Sequence, residues 1–256
     1  MKVFCISQAR LGSTRLPKKV LKTIKDKTLL HYQVERVKQA KLVDQYIIAT
    51  TNKTIDNAIG HFCHQHQIKF FCGDENNVLS RFYHTALAFN ATENDLIIRL
   101  TSDCPLVAPE LIDQLIEQHI ANKNIAISNI DIQSYPRGFD AEIFSMAALT
   151  QAFYQASTAF QQEHVTPYFY QHPQQYPCQS ISYSEADNDS ALLTSSTPAE
   201  LRLCVDEPAD FELVKQLITQ FPKNIIQASA HEIINFLTNT PQISQINQHV
   251  QQKNYE

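Results

Sequence analysis

Short apolar runs alternate with longer amphipathic segments through the first half of the chain, which is typical of repeated strand–helix units. The alternation predicts strands near residues 2–7, 45–50, 68–72, 95–101 and 124–128. It predicts helices near residues 28–40, 54–66, 76–90 and 109–121, the last of which begins at the favourable first-turn pair Pro109-Glu110. The pattern therefore predicts an α/β fold with a mostly parallel sheet.

From about residue 131 the regular alternation of apolar runs and amphipathic segments changes. The pattern predicts a turn at 135–138, strands at 141–145, 178–184 and 201–205, a polar loop at 185–190, and helices at 146–157, 160–171, 208–220, 230–237 and 243–250. We expect residues 1–256 to form a single domain, because one sizeable core suffices for a chain of this length. Within it, residues 131–184 would form an extension and residues 221–256 the C-terminal helices.

Composition narrows the class of protein. The chain carries a formal net charge of -5 and has a pI near 6.0, which argues against general nucleic-acid binding. The apolar run Val3 to Ile6 is followed quickly by Arg10 and is too short for a signal peptide or a membrane span. We therefore expect a cytoplasmic protein that binds neither nucleic acid nor membranes.

The six cysteines are scattered without the spacing of a disulfide framework, which indicates buried thiols in a reducing compartment. The segment 61–66 combines three histidines with Cys63, and Cys72 follows. A zinc site and a solvated helix face are both compatible with this cluster. The lack of a paired CxxC motif favours the helix face.

The segment from Gln8 to Lys19 follows the first predicted strand and concentrates positive charge next to Gly12. Its cations are Arg10, Arg15, Lys18 and Lys19. Guanidinium groups pair bidentately with phosphate oxygens, and a glycine lets backbone N–H groups approach an anion. The segment lacks the Walker A pattern, and it is also compatible with a self-solvating basic loop. Its place at the carboxyl end of a strand favours a nucleoside triphosphate pocket.

Two carboxylates follow apolar runs much further along the chain. Asp103 lies after residues 95–101 and Asp206 after residues 201–205. Asp103 is also suited to an Asx turn before Pro105, and Asp206 to a helix N-cap before Pro208. Because a triphosphate is usually handled with a divalent cation held by oxygen ligands, the cationic loop favours a metal-binding role for both.

Several segments in order resemble the signature blocks of one enzyme family. They read QARLGSTRLPKKVL, CGDENNVLSRFYHTA, RLTSDCPLVAPELID, YPRGFDAEIFS, EHVTPYFYQHP and CVDEPADFELV, with PQISQINQHV near the end. These blocks resemble the spore coat polysaccharide biosynthesis cytidylyltransferases, which are related to acylneuraminate and 3-deoxy-manno-octulosonate cytidylyltransferases. The resemblance implies a three-layer nucleotidyltransferase fold of the GT-A, Rossmann-like type, Mg2+ as cofactor, CTP as donor and a sugar or sugar acid as acceptor. We also expect a homodimer, with residues 131–184 as the acceptor or dimerisation extension.

The resemblance assigns roles to individual residues. The nucleotide-binding set is Ala9, Arg10, Gly12, Ser13, Arg15, Lys18, Lys19, Arg81 and Asp103, of which Arg10, Arg15, Lys19 and Asp103 are the catalytic candidates. Asp103 and Asp206 match the metal-binding aspartates. Lys18 stands where the family usually has glycine, which leaves open whether Lys18 or Lys19 serves the phosphates. Arg81 has the alternative of pairing with a nearby acid.

The implied acceptor-binding set is Arg137, Asp140, Glu142, Glu163 and His164. Glu163 and His164 have the alternative of a dimer contact or a helix cap. Two rival functions stand beside the cytidylyltransferase hypothesis: a glycosyltransferase that uses a nucleotide sugar, and a nucleotide-binding protein without catalysis. Residues 102–105 lack the DxD motif that such glycosyltransferases generally carry. Nothing in the sequence identifies the acceptor sugar.

Overall fold

The computed structural model describes residues 1–183 and 198–252. The strands are β1 (Val3–Gln8), β2 (Thr23–Ile24), β3 (Lys27–Thr28), β4 (Gln45–Thr51), β5 (Lys69–Gly73), β6 (Leu96–Thr101), β7 (Ile127–Ile130), β8 (Glu142–Ser145) and β9 (Cys178–Ile181). The helices are α1 (Leu29–Val37), α2 (Asn57–Gln65), α3 (Val78–Ala88), α4 (Pro109–Ala121), α5 (Met146–Gln155), α6 (Ala159–His164), α7 (Pro167–Tyr170), α8 (Pro208–Gln220), α9 (Ala230–Thr238) and α10 (Pro241–Ser244).

Within these residues a seven-stranded sheet has the order β5-β4-β1-β6-β8-β7-β9. The first four strands in this order are parallel, β8 is antiparallel to both of its neighbours, and β7 and β9 are parallel to each other. The predicted mixed, mostly parallel sheet is confirmed. A short hairpin of β2 and β3 lies outside this sheet.

Apolar side chains on both faces of the strands explain why helices cover the sheet from both sides. Along β1, Val3 and Cys5 join one buried cluster, whereas Phe4 and Ile6 join another. The first cluster contains α1, α4, α8 and α9, and the second contains α3 and α5. The result is a three-layer arrangement, as the resemblance implied.

Local capping sets where several helices begin. The Thr28 side chain accepts a hydrogen bond from the His31 N–H at 3.1 Å ahead of α1, and Asn77 accepts one from the Ser80 N–H at 2.8 Å ahead of α3. These side chains satisfy N–H groups that have no partner inside the helix. Helix α4 occupies Pro109–Ala121, the range that the sequence predicts.

The helix predicted at 160–171 is interrupted. It divides into α6 and α7 at Val165, whose φ of 71° is uncommon for a branched residue. Pro167 follows two residues later and begins α7, because proline cannot continue the preceding helix and suits a first helical position.

Two predictions near the C-terminal end are wrong. In the described residues 201–205 there is an isolated bridge between Arg202 and Arg137 instead of a strand, because Leu203 and Cys204 both direct their N–H groups to one carbonyl, that of Arg137. The helix predicted at 243–250 ends at Ser244 of α10.

Two of the smaller differences concern element bounds. The strand predicted at 124–128 lies at Ile127–Ile130, and the helix predicted at 54–66 opens with a 3-10 turn at Thr54–Asp56 before α2. The polar loop predicted at 185–190 lies outside the described residues.

Strand order determines where a ligand can enter. From β1 the chain continues to β4 on one side, whereas β6 lies on the other side. Loops that follow β1 and β6 therefore diverge and leave a crevice at the carboxyl ends of the strands. Over the residues described, no helix is both long and apolar enough to cross a membrane.

Candidate active site

A cavity of about 450 Å³ lies at this crevice, between the loop after β1 and the end of β6. The predicted nucleotide-binding and metal-binding residues that line it are Ala9, Arg10, Gly12, Ser13, Arg15, Lys19, Arg81, Asp103 and Asp206. Lys18 is exposed and is not among the lining residues. The structure thus places Lys19, rather than Lys18, on the cavity wall.

The Lys19 ammonium joins the two aspartates at the centre of this cavity. Its Nζ lies 2.9 Å from Oδ2 of Asp103 and 2.7 Å from Oδ1 of Asp206. Arg15 adds a second cation, with one guanidinium nitrogen 3.4 Å from Oδ1 of Asp206 and another 3.0 Å from Oε1 of Glu207. Asp103 and Asp206, which are 103 positions apart in the sequence, therefore both contact the Lys19 ammonium.

The charged forms of Lys19 and of the two aspartates stabilise one another. Burial by itself lowers the pKa of Lys19, but the carboxylates of Asp103 and Asp206 outweigh it and raise that pKa above its ordinary value. Burial raises the pKa of Asp103, and Lys19 together with the Thr101 hydroxyl brings it below its ordinary value. Lys19 and Asp103 are both charged at neutral pH.

The backbone of the cationic loop is held by a residue that sequence reasoning missed. Asp56 is buried and accepts the Leu11 N–H at 2.6 Å and the hydroxyl of Thr51. Lys18 adopts a φ of 55°, a left-handed conformation that glycine adopts without strain. This accounts for the family preference for glycine at that position, because the loop reverses there before Lys19.

Arg10 and Arg81 extend the positive wall of the cavity. Arg10 lies 3.9 Å from Oε1 of Glu75. Arg81 is buried on α3 and donates to the carbonyl of Asp74 at 2.6 Å, so its partner is a backbone group rather than the acidic side chain considered from the sequence. Burial and the neighbouring Arg10 charge lower the pKa of Arg81 to about 10.

A second cavity of about 330 Å³ adjoins the first. Both cavities are lined by Arg99, Thr101, Arg137 and Asp140. Arg99, which sequence reasoning also missed, lies in β6 and contacts Oε2 of Glu142 at 2.6 Å. Its place at the start of the block RLTSDCPLVAPELID, which contains Asp103, was the available signal.

The predicted acceptor-binding residues divide between the two cavities. Arg137 and Asp140 line both, Glu142 lines the second, and Glu163 and His164 line the first. Burial raises the pKa of Asp140 above its ordinary value, although the Gly138 N–H and Arg137 counteract it. Oε1 of Glu142 also accepts the Tyr170 hydroxyl at 2.8 Å, so this carboxylate is already partnered by an arginine and a tyrosine.

The cysteines and histidines outside the cavities form no metal site in the described part of the chain. All six cysteines are described there and are free thiols. No cluster of three histidine, cysteine or acidic side chains that could hold an ion occurs within residues 1–183 and 198–252. The segment 61–66 lies on α2 and at its end, as the helix-face interpretation predicts.

A family model described as Cytidylyltransferase matches residues 4–246. The chain belongs to the cytidylyltransferase family. This confirms the resemblance noted in the sequence, and the family assignment favours a nucleotidyltransferase over a glycosyltransferase.

Relatives with curated sequences are similar to this chain over half of its length or more. An uncharacterized protein of Methanocaldococcus jannaschii is 36% identical over 255 residues, which covers 100% of this chain and 98% of that protein. The spore coat polysaccharide biosynthesis protein SpsF of Bacillus subtilis is 32% identical, with 93% and 95% of the two chains covered. The 3-deoxy-manno-octulosonate cytidylyltransferase of Thermodesulfovibrio yellowstonii is 30% identical over 51% of this chain and 52% of its own length.

Solved structures show the same cytidylyltransferase architecture. A cytidylyltransferase from Leptospira borgpetersenii superposes with a TM-score of 0.84 at 28% identity and full coverage of both chains. A CMP:2-keto-3-deoxy-manno-octonic acid synthetase complexed with CTP superposes with a TM-score of 0.62 over 86% of this chain and 99% of its own. At 17% identity the second likeness concerns the fold alone.

Proposed function

We propose that this protein transfers CMP from CTP to a hydroxyl of a sugar or sugar acid of the nonulosonic or octulosonic type, with release of pyrophosphate, in the biosynthesis of a surface polysaccharide. One observation carries the proposal: the cationic loop after β1 faces Asp103 and Asp206 across one cavity, and Lys19 contacts both. The names of SpsF and of the octulosonate cytidylyltransferase support the acceptor class and the pathway.

The triphosphate is assigned to the loop cations. Arg10, Arg15 and Lys19 line the cavity and supply charge to its oxygens, and Gly12 leaves room for the phosphates to approach the backbone. Arg81 lies on the same wall and is assigned to the nucleotide.

The donor set at the centre of the cavity suits a divalent cation, for which we propose Mg2+. Asp103 and Asp206 already share one cation, the Lys19 ammonium, and carboxylate oxygens are the ligands that hard cations take. Two protein carboxylates leave room for phosphate oxygens and water, which is how Mg2+ is usually held at nucleotides. When bound there, the ion supplies charge neutralisation to the phosphates.

The second cavity is assigned to the acceptor. Its shared wall with the first cavity contains Arg137 and Asp140, so a sugar held there lies beside the α-phosphate of a nucleotide held in the first. The acceptor oxygen forms a bond to the α-phosphorus while the bond to the β-phosphate oxygen breaks, and pyrophosphate leaves. Asp140, whose pKa burial raises, takes the hydroxyl proton, and Arg137 pairs with the carboxylate of a sugar acid.

The remaining assignments complete the proposal. Glu142 lies in the acceptor cavity and orients Arg99 through their 2.6 Å contact. Glu163 and His164 border the first cavity and stay assigned to the acceptor, with a dimer contact or a helix cap as the alternative. A cytoplasmic location and a homodimer belong to the proposal as well, and light scattering of the purified protein measures the dimer.

The nucleotide is tested first, without any acceptor. The unfolding temperature is measured with CTP, UTP, dTTP, ATP and GTP, each with and without Mg2+. We expect the largest rise with CTP plus Mg2+, because binding to the folded state alone stabilises it. A preference for UTP or dTTP overturns the cytidylyl assignment.

The transfer is tested next by pyrophosphate release. CTP and Mg2+ are combined with nonulosonic and octulosonic acids, and each acid is compared with its reduced, carboxylate-free analogue. Release that depends on an acid supports the proposal. A glycosyltransferase would instead release the nucleotide itself from a nucleotide sugar, without forming pyrophosphate, and that outcome supports the glycosyltransferase hypothesis.

A further inference from the structure

Arg202 lies four positions before Asp206 and is not among the described residues that line the nucleotide cavity. Its side chain is only 10% exposed, and its guanidinium makes contacts in three directions. One terminal nitrogen donates to Oδ2 of Asp206 at 2.7 Å, and the other donates to Oε1 of Gln252 at 2.6 Å. Nε donates to Oδ1 of Asp210 at 3.0 Å.

Asp210 holds the backbone of the same segment. Its side chain is fully buried, and its Oδ2 accepts the N–H groups of Asp206 at 2.9 Å and Glu207 at 3.0 Å. Asp210 therefore restrains the Asp206 backbone, while Arg202 restrains its side chain. Together they leave Oδ1 of Asp206 facing Lys19 in the cavity.

Two residues near the C-terminal end of the described chain contact Arg202 and Asp210. Asn247 is buried and donates to the carbonyl of Arg202 at 3.0 Å and to Oδ1 of Asp210 at 2.8 Å. Gln252 holds the guanidinium and also borders the nucleotide cavity. These contacts explain why no helix continues to residue 250, since Asn247 directs its side chain inward to Asp210.

We propose that Arg202 is a positioning residue for Asp206: its planar fork holds Oδ2, so that Oδ1 is presented to a divalent cation at the nucleotide phosphates. Asn247 and Gln252 keep the fork in place. The inference rests on the proposed function, which makes Asp206 a metal ligand. A guanidinium suits this task because its donors have a fixed planar geometry, whereas an ammonium is a single point charge.

The test measures metal binding directly rather than activity. Mn2+ is titrated into the protein with CTP but without acceptor, and free Mn2+ is followed by electron paramagnetic resonance. Arg202→Lys keeps the charge but cannot make all three contacts. We expect the dissociation constant for Mn2+ to rise about 10- to 100-fold, which is the usual effect of losing a partner that orients a metal ligand.

Arg36→Lys is the matched control for loss of stability. Arg36 is buried, donates to the carbonyls of Val107 and Ile225, and lines neither cavity among the described residues. This control should lower the unfolding temperature without metal and leave Mn2+ binding unchanged. A purely structural role for Arg202 would give the same result in Arg202→Lys and overturn the proposal.

A double-mutant cycle separates this inference from the metal assignment. In Asp206→Asn, Mn2+ binding should weaken, and adding Arg202→Lys should change it by less than about two-fold, because Arg202 acts through Asp206. Wild-type binding in Asp206→Asn overturns the metal assignment and the inference together. Weak binding in Asp206→Asn with wild-type binding in Arg202→Lys, or additive effects of the two changes, overturns the inference alone.

If Arg202→Lys does not fold, Mn2+ binding by Asn247→Ala tests the proposal instead. This variant removes the amide that restrains the Arg202 backbone and Asp210 but keeps the guanidinium. Weaker Mn2+ binding by the folded variant supports the proposal, and an unchanged dissociation constant overturns it.

Discussion

The ammonium of Lys19 lies 2.7 Å from Oδ1 of Asp206. It also contacts Asp103, so a protein cation stands between the two carboxylates that we assign to Mg2+. Triphosphate oxygens compete with these carboxylates for Lys19. We therefore expect nucleotide and metal to bind with positive coupling, because nucleotide that withdraws Lys19 frees both carboxylates for the ion.

Replacing this cation should affect its two sets of partners in opposite ways. In Lys19→Met we expect CTP affinity to fall roughly 10- to 100-fold, because a hydrogen bond to a charged group contributes about 1.5–3 kcal/mol. Mn2+ alone should bind more tightly than to the wild type, since no ammonium competes for the carboxylates. Calorimetric titrations with each ligand separately measure both effects.

Lys18→Met is the control for this prediction. Lys18 is adjacent, exposed and outside the cavity wall. Methionine has a Cβ as lysine does, so the left-handed backbone at this position costs the same in both proteins. Wild-type affinities are expected for both ligands. A Lys19→Met protein with unchanged Mn2+ affinity would contradict the competition between ammonium and metal.

Asp103 should be needed for turnover rather than for folding. In Asp103→Asn we expect kcat to fall by about 100-fold or more, the scale seen when one preorganised electrostatic group is lost from an active site. The amide keeps the shape of the side chain, so far-UV circular dichroism should be unchanged. Asp26→Asn, on an exposed aspartate, is the control. Wild-type turnover in Asp103→Asn would show that Asp103 is not a catalytic residue.

Two glycines should respond differently to a methyl group. Gly138 has a φ of 113°, and a Cβ there would lie 2.7 Å from the backbone of Leu203 and Cys204. Gly138→Ala should lower the free energy of unfolding by at least about 2 kcal/mol, since backbone strain and overpacking each cost about 1–3 kcal/mol.

Gly12→Ala is the matched comparison in the cavity. A Cβ at Gly12 meets Oε1 of Glu75 only at an ordinary 3.5 Å, so stability should stay within about 0.5 kcal/mol of the wild type. CTP affinity should nevertheless fall, because the methyl group obstructs approach of the phosphates to the backbone. Urea denaturation and CTP titration of both variants check the pair, and equal destabilisation of the two would refute the geometric argument.

Stability should decline in mildly acidic solution partly because of His119. This side chain is buried, contacts the Ser128 hydroxyl at 2.9 Å, and has its pKa lowered by burial from the ordinary value of 6.5. The unfolded chain therefore takes up a proton more readily, and the contribution of neutral His119 is complete above about pH 6.5 and is lost as the pH falls below it.

His119→Gln should flatten this pH dependence. Urea denaturation at several pH values between about 7.5 and 5.5 measures the slope. Part of the slope should remain, because the pKa values of His31 and His164 are lowered as well. A slope identical to that of the wild type would show that His119 does not contribute.

The sequence by itself determined the elements whose signals are local. Apolar runs located β1, β4, β5 and β6 to within about two residues. In β1, β4 and β6 most positions are buried, and a strand buried on both faces must be apolar along its length. The cations after β1 and the aspartate after β6 were also visible locally, since both follow such a strand. The segments that resemble the cytidylyltransferase family assigned these cations and this aspartate to the binding of a nucleotide and its metal ion.

Only the tertiary structure decided which of these groups meet. Lys19 lies 84 positions from Asp103 and 187 from Asp206, and no local pattern specifies such pairings. The order of the strands brings Lys19 to Asp103, because it places the loops after β1 and β6 at one crevice. Asp206 joins them through the neighbouring backbone, where the Val205 N–H donates to the carbonyl of Asp103 at 2.8 Å.

The same long-range packing explains what the sequence patterns missed. Residues 201–205 look like a strand by their apolar character, but the chain there folds against Arg137 and Gly138 and makes Arg202 a partner of Asp206. Hydrophobic patterning reports burial, whereas hydrogen-bond partners distant in sequence decide what a buried polar side chain does.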